Sequence, residues 1–152
     1  MEYTGEHATL YQKYRGEFKE TDTDVFEVLK SIGIKGKDVL DLGCGGGYHT
    51  FHIKELGAKS VVGLDISRDF ISEANKVLKT RPDVGIKFIE ADASKMPLFD
   101  GIFDVVFSNF VIHYFEDSSE IFKEISRVLK PRGYFVGTFS DLCISALDLI
   151  RF

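Results

Sequence analysis

Short apolar runs recur along the chain, and amphipathic stretches of helical spacing separate most of them. The runs are Asp38–Leu42, Ser60–Asp65, Ile86–Glu90, Phe103–Asn109 and Tyr134–Phe139. A strand with one wet face alternates polar and apolar residues, whereas a continuous apolar run is buried on both faces. Such strands alternating with helices predict a mostly parallel sheet covered on both sides, and right-handed crossovers make it a doubly wound α/β fold. The first helix is expected at Asp24–Ile32, capped by Asp22 or Thr23, with Val25, Phe26, Val28, Leu29 and Ile32 as its stripe. A second runs from Thr50 to Leu56 and stops at Gly57. Ser67 caps a third that reaches about Leu78, and Ser118 or Ser119 opens a fourth. Pro131-Arg132-Gly133 reads as a turn before the fifth strand.

The 152 residues suit one domain. Within it, 1–23 forms an N-terminal segment, 24–140 the core and 141–152 a tail. Cys44 and Cys143 cannot build a disulfide framework and read as intracellular thiols. No apolar run reaches the ~18 residues that a membrane span needs. The polar opening, MEYTGEHATLYQKYRGEFKE, lacks a signal-peptide core, so a cytoplasmic location is expected. A net charge of −5 disfavours non-specific binding to nucleic acid.

Ligands of doubly wound sheets sit beyond the carboxyl ends of the strands, near the point where strand order reverses. The first strand ends in Asp41-Leu42-Gly43-Cys44-Gly45-Gly46-Gly47. A tight turn needs one or two glycines; this loop has four in five positions, which points to close approach of a ligand. The helix that follows offers unpaired N–H groups to a negatively charged moiety. After the second strand, the Asp65 carboxylate can accept both hydroxyls of a ribose, and Ile66 offers an apolar surface to a base. The alternative is that Asp65 caps the helix near Ser67. After the third strand, Asp92 can accept from an exocyclic amine, or is a solvated loop acid. The strict dinucleotide fingerprint G-x-G-x-x-G fails, because it demands glycine where Tyr48 or Thr50 stands.

In this order the motifs resemble those of class I S-adenosylmethionine-dependent methyltransferases of the small-molecule, Rossmann-like type. VLDLGCGGG (39–47), VVGLDIS (61–67), FIEADASKMPL (88–98), FDVVFSNFVIHYFED (103–117) and LKPRGYFVGTF (129–139) carry the resemblance, which spans residues 24 to 140. It implies that Asp41 orders the loop and faces the methionine amine, directly or through water. Gly43, Cys44, Gly45 and Gly47 would run beside the methionine and ribose. Asp65 would hold the ribose hydroxyls, with Ile66 on the adenine face. Asp92 would accept from the adenine amine and the Ala93 N–H would donate to the ring. Asn109 and Phe110 would lie at the sulfonium end and the substrate mouth. Tyr11 or Tyr14 would cover the cofactor, or pack a surface helix instead. The implied activity is methyl transfer to a small-molecule acceptor, with S-adenosylhomocysteine as the product. The other reading is a cofactor- or partner-binding module without turnover. Ser108-Asn109-Phe110-Val111 lacks the Asn/Asp-Pro-Pro-aromatic motif of amino-directed DNA methylation, and lacks Pro-Cys.

His113, just past the fourth strand, is the candidate general base, with a packing role as the alternative. His49 and His52 sit i, i+3 without a further ligand at metal spacing, so no metal site is expected. Cys44 reads as a small loop residue rather than a nucleophile. The family's sheet usually ends in a two-strand hairpin, which this chain is expected to lack. Its tail, SDLCISALDLIRF, reads as a helix striped by Leu142, Ala146, Leu149 and Ile150. The fifth strand would then be a bare edge, expected of a truncated or naturally short chain, with cover by a partner such as a second copy in a homodimer as the other reading.

Overall fold

A computed structural model describes residues 19–80, 85–112, 117–140 and 145–151. Helix α1 (Lys19–Ser31) precedes β1 (Asp38–Leu42), α2 (Tyr48–Glu55), β2 (Ser60–Asp65), α3 (Arg68–Thr80) and β3 (Ile86–Glu90). Then follow β4 (Phe103–Asn109), α4 (Ser119–Val128), β5 (Leu129–Ser140) and β6 (Ser145–Arg151). The strands form one sheet in the order β3-β2-β1-β4-β5-β6. All pairings are parallel except β5 with β6. This is the doubly wound, Rossmann-like architecture that the apolar runs predict. Strand order reverses between β1 and β4, which puts the switch point there.

The pleat sends alternate side chains to opposite faces. Val39, Val105, Phe107 and Val136 pack with Val25 and Leu29 of α1 and Ile53 of α2. Leu40, Leu42, Val106 and Phe135 pack with Ile121, Ile125 and Val128 of α4. A third cluster joins Phe51 of α2 to Ile71 and Ala74 of α3 and to Phe88 of β3. Val25, Leu29, Ile53 and Ile125 have no exposed surface, and each such side chain stabilises the fold by about 1.5–3 kcal/mol.

The structure corrects several expected boundaries. Helix α1 starts five residues before Asp24, so Asp22 and Thr23 lie inside it rather than capping it. Nothing between Gly16 and Gly33 breaks the helical pattern, and the charged residues there are compatible with it. Ser67 does cap α3: its Oγ accepts from Phe70 N at 3.4 Å. Pro131-Arg132-Gly133 sits within β5 as an irregularity, where the partner of Phe103 is Leu129 and that of Val105 is Tyr134. Arg132 takes φ 67° there.

The larger correction concerns the tail. Residues 145–151 form β6, antiparallel to β5 from Ser140↔Ser145 to Tyr134↔Arg151, instead of a helix. A short apolar run fits either period, and the open backbone of β5 offers a ladder of hydrogen bonds that a helix would leave unpaired. The edge of β5 expected to be bare, or covered by a second copy, is therefore occupied by the chain's own β6. No helix among the described residues is long and apolar enough to cross a membrane.

Candidate functional site

Parallel pairing brings the carboxyl ends of β1 to β4 to one rim. Leu42 lies level with Leu64 and Ser108, and Asp65 lies level with Glu90. The glycine loop leaves β1 at this rim. Gly43, Gly45 and Gly47 all take positive φ, at 75°, 51° and 86°. The N–H groups of Gly43 and Cys44 both donate to Leu64 O, at 2.7 and 3.0 Å, and fold the loop back over β2. At Gly43 a Cβ would lie 2.2 Å from Val111 Cγ2, and at Gly47 one would lie 2.7 Å from Phe88 Cζ. Side chains are excluded at both positions by conformation and by space.

Asp41 is buried beneath this loop and accepts from Thr50 Oγ1 at 2.5 Å. It thereby ties β1 to α2, in keeping with a loop-ordering role. Cys44 is buried beside Phe51 and Phe88. Burial pushes its thiol well up, and the charges of Asp41 and Asp65 push it further. A thiol held protonated is a poor nucleophile, which agrees with its reading as a small loop residue.

Asp65 is half-buried at the end of β2. Its Oδ2 accepts from Gly45 N at 2.9 Å and its Oδ1 from Ser67 N at 2.8 Å. It thus performs the helix-entry role and grips the glycine loop as well. A carboxylate has about four acceptor positions, so these hydrogen bonds, with the Ile66 N–H beside them, do not saturate it. Burial raises the Asp65 carboxyl above the usual range, and the N–H groups of Ser67, Gly45 and Ile66 offset this only in part. Ile66 is 63% exposed next to it, an apolar side chain in solvent at the rim.

Ala91 N donates to Asp65 O at 3.0 Å, which brings the loop after β3 beside the loop after β2. Asp92 is exposed, and its Oδ1 accepts from Ser94 N and Ser94 Oγ at 2.8 and 2.7 Å. Ala93 is buried. An ion pair that the sequence motifs did not single out holds the remainder of this loop. Arg127 forks onto both carboxylate oxygens of Glu124, at 2.6 and 2.7 Å, and donates to Leu98 O and Met96 O. Glu124 accepts from Met96 N in turn.

Across the switch point, Asn109 Oδ1 accepts from Thr138 Oγ1, and Asn109 Nδ2 lies 3.3 Å from His49 Nε2. Phe110 follows with φ 53°, and its N–H reaches Thr138 Oγ1 at 3.1 Å. His49 and His52 send ring nitrogens to different partners, since His52 Nδ1 meets Tyr48 O at 3.1 Å. Tyr11, Tyr14 and His113 lie outside the described residues. Thr50, Thr138 and the contact of His49 with Asn109 escaped sequence reasoning. No local motif marks a pairing between residues so distant in the chain.

Residues 40–137 match a family described as a methyltransferase domain. The malonyl-[acyl-carrier protein] O-methyltransferase of Legionella pneumophila is 34% identical over 133 residues, covering 87% of this chain and 46% of that protein. The demethylmenaquinone methyltransferase of Lactococcus lactis is 36% identical over 122 residues, covering 78% and 48%. A tRNA U34 carboxymethyltransferase from Pseudoalteromonas translucida is also similar. Among solved structures, the S-adenosylmethionine-dependent methyltransferase of Mesorhizobium loti superposes with a TM-score of 0.66 at 33% identity. That superposition covers 74% of this chain and 51% of the other. The chain spans about half the length of the curated relatives it matches. Because the matched stretch runs from within β1 into β5 and takes in the loops of the rim described above, the chain belongs to the methyltransferase domain family.

Proposed function

We infer that this domain binds S-adenosylmethionine and transfers a methyl group to a small-molecule acceptor. The observation that carries the reading is Asp65, a partly exposed carboxylate anchored to Gly45 and Ser67 with acceptor capacity left at the mouth. The site fits such a cofactor in three further respects. The glycine loop is held at the rim by three left-handed glycines, and at Gly45 the space where a Cβ would stand is open. Ile66 leaves an apolar surface uncovered beside the acid. The Ser108 hydroxyl, one register step below Gly43, is buried with no hydrogen-bond partner among the described residues. The small-molecule acceptor follows the demethylmenaquinone methyltransferase, and the absence of a basic cluster with interleaved aromatics argues the same way.

When bound, S-adenosylmethionine supplies a methyl group on a positively charged sulfur, already activated for in-line displacement. The chain's own work is then to bind, orient and exclude water, and orientation is worth about 7–11 kcal/mol. In this reading Asp65 accepts the ribose hydroxyls and Ile66 covers the base. Asp92 and the Ala93 N–H meet the adenine edge. Asp41 holds the loop and the amino end, and Gly43, Cys44, Gly45 and Gly47 pass alongside. Asn109 and Phe110 border the acceptor side, and Tyr11 or Tyr14 closes over the cofactor. His113 acts as general base where the acceptor is a phenol or an acidic carbon.

Calorimetric titration of the chain with S-adenosylmethionine and S-adenosylhomocysteine tests this. Binding in the micromolar range is expected, weakened at least about 100-fold in Asp65→Ala, because hydrogen bonds to a charged group are worth about 1.5–3 kcal/mol each. A folded chain that binds neither nucleoside, or that binds NADH instead, overturns the reading.

A further inference from the structure

We propose that His49 is a positioning residue of the crevice, sharing with Thr138 the hold that keeps the Asn109 side-chain amide one way round at the tip of β4. The inference rests on the methyltransferase reading only for the consequence of that orientation; the geometry stands by itself. Asn109 is held at both ends. Thr138 Oγ1 takes the Phe110 N–H as acceptor at 3.1 Å, and its single hydroxyl hydrogen goes to Asn109 Oδ1. That leaves Nδ2 toward His49 Nε2, 3.3 Å away. With the amide reversed, Thr138 would accept twice and its own hydrogen would lose the Asn109 oxygen. His49 must therefore accept at Nε2 and carry its proton at Nδ1.

The imidazole cannot easily turn from this role. It is 9% exposed, with the rings of Tyr48, Phe107 and Phe26 at 5.1, 5.5 and 5.8 Å between centroids. Phe107 belongs to the same strand as Asn109, two residues earlier, so one face of β4 both packs the ring and receives its nitrogen. The arrangement leaves Asn109 one Nδ2 hydrogen on the His49 side and one Oδ1 lone pair on the Thr138 side. A ligand at the switch point therefore meets a donor and an acceptor in a fixed order. Phe110, in its left-handed conformation, hangs from the same Thr138 hydroxyl. Losing the imidazole acceptor leaves the amide held at its Thr138 end and loosens its Nδ2 end, while the Phe110 N–H stays shared between Thr138 Oγ1 and Thr138 O, at 3.1 and 3.2 Å.

The test compares the wild-type chain with His49→Phe, which fills the space without an acceptor, and His49→Gln, whose side-chain oxygen can replace Nε2. Nitrogen-15 NMR of the ring is expected to show Nδ1 protonated and Nε2 bare, with the Asn109 side-chain amide slow to exchange. In His49→Phe that amide loses protection and S-adenosylhomocysteine affinity falls by about three- to tenfold, the range of one net hydrogen bond. His49→Gln restores both. A proton on Nε2, an Asn109 amide equally protected in His49→Phe, or a glutamine no better than phenylalanine overturns the proposal. If the wild type binds no S-adenosylhomocysteine, the methyltransferase reading fails by itself, and the NMR of wild type and His49→Gln still decides the role of His49.

Discussion

The two ends of the parallel sheet are built on opposite plans. At the amino ends of the strands, charges are matched. Lys130 Nζ pairs with Asp38 at 3.1 Å and with Asp104 at 2.9 Å, Asp104 also accepts from Asp38 N, and Ser60 Oγ donates to Asp38. These contacts tie the starts of β1, β2, β4 and β5 together. At the carboxyl ends, the backbone is held in left-handed turns, a carboxylate sits half-buried with acceptor capacity left, and a serine hydroxyl is buried without a partner among the described residues. Burial would raise Asp38 and Asp104. Ser60 and Lys130 more than offset it at Asp38, and the Asp38 N–H and Lys130 do so at Asp104, so both carboxyls fall below the usual range. At Asp65 burial prevails. One end of the sheet is closed by matched charges, and the other carries strained backbone and incompletely paired polar groups, the features that cluster at functional sites.

The comparison breaks most sharply at Gly43. A left-handed residue with a Cβ costs roughly 1–2 kcal/mol, and forcing an added carbon against packed side chains costs about 1–3 kcal/mol. Gly43→Ala is therefore expected to lose about 2–5 kcal/mol in denaturant unfolding, together with nucleoside binding. The double variant Gly43→Ala/Val111→Ala should recover the part due to collision with Val111 and leave the conformational part. If the single variant is as stable as the parent, the loop is not under the constraint described.

The strand-end geometry was readable in the sequence because short-range signals carry it. The run VLDLGCGGG is strand and turn together, and the acids that follow the next two strands are placed by the βα period alone. The tail was not readable, because SALDLIR fits a helical stripe as well as a strand and its state is decided by the free edge of β5, far away in sequence. Asp41 was readable as an ordered acid, but its partner Thr50 was not. Nor was the clamp of His49 and Thr138 on Asn109, whose members are 60 and 29 residues from it in the chain. Local pattern gives the elements; pairings between elements appear only once the sheet has been assembled.

Acid sharpens the comparison. The carboxyls of Asp38 and Asp104 titrate lower in the folded chain than in the unfolded one. Their contribution is fully present above the unfolded value of about 3.9 and is lost as pH falls through the lowered folded values. Asp65 titrates higher than usual because of its burial, and under the proposed function its ionised form is the one that would accept the ribose hydroxyls. On acidification, S-adenosylhomocysteine affinity should therefore fall before the fold does, as titrations and thermal melts at each pH will show. Lys130→Met should remove about 1–2 kcal/mol of stability, a figure discounted because the lysine is about a third exposed and screened. It should also flatten the acid limb of the stability curve while leaving nucleoside affinity unchanged. A variant that loses affinity along with stability would show that the two ends are not independent.

The smallest expected effect isolates the ligand end. Ser108 is 1% exposed, between Leu42 of β1 and Gly137 of β5, and its Oγ meets no partner among the described residues. A buried hydroxyl without a hydrogen bond costs about 1–3 kcal/mol, and replacing it by a methyl group leaves only a slight void. Ser108→Ala is therefore expected to raise stability by up to about 1 kcal/mol, measured as a shift of the denaturation midpoint at constant slope. The same substitution at Ser60, whose hydroxyl donates to Asp38 at 2.8 Å, should lower stability by a similar amount. Opposite signs for one chemical change at the two ends of the sheet would be the most direct reading of the asymmetry. Equal losses at both would mean that the Ser108 hydroxyl is already satisfied, and the carboxyl end would then hold one fewer group in reserve for a ligand.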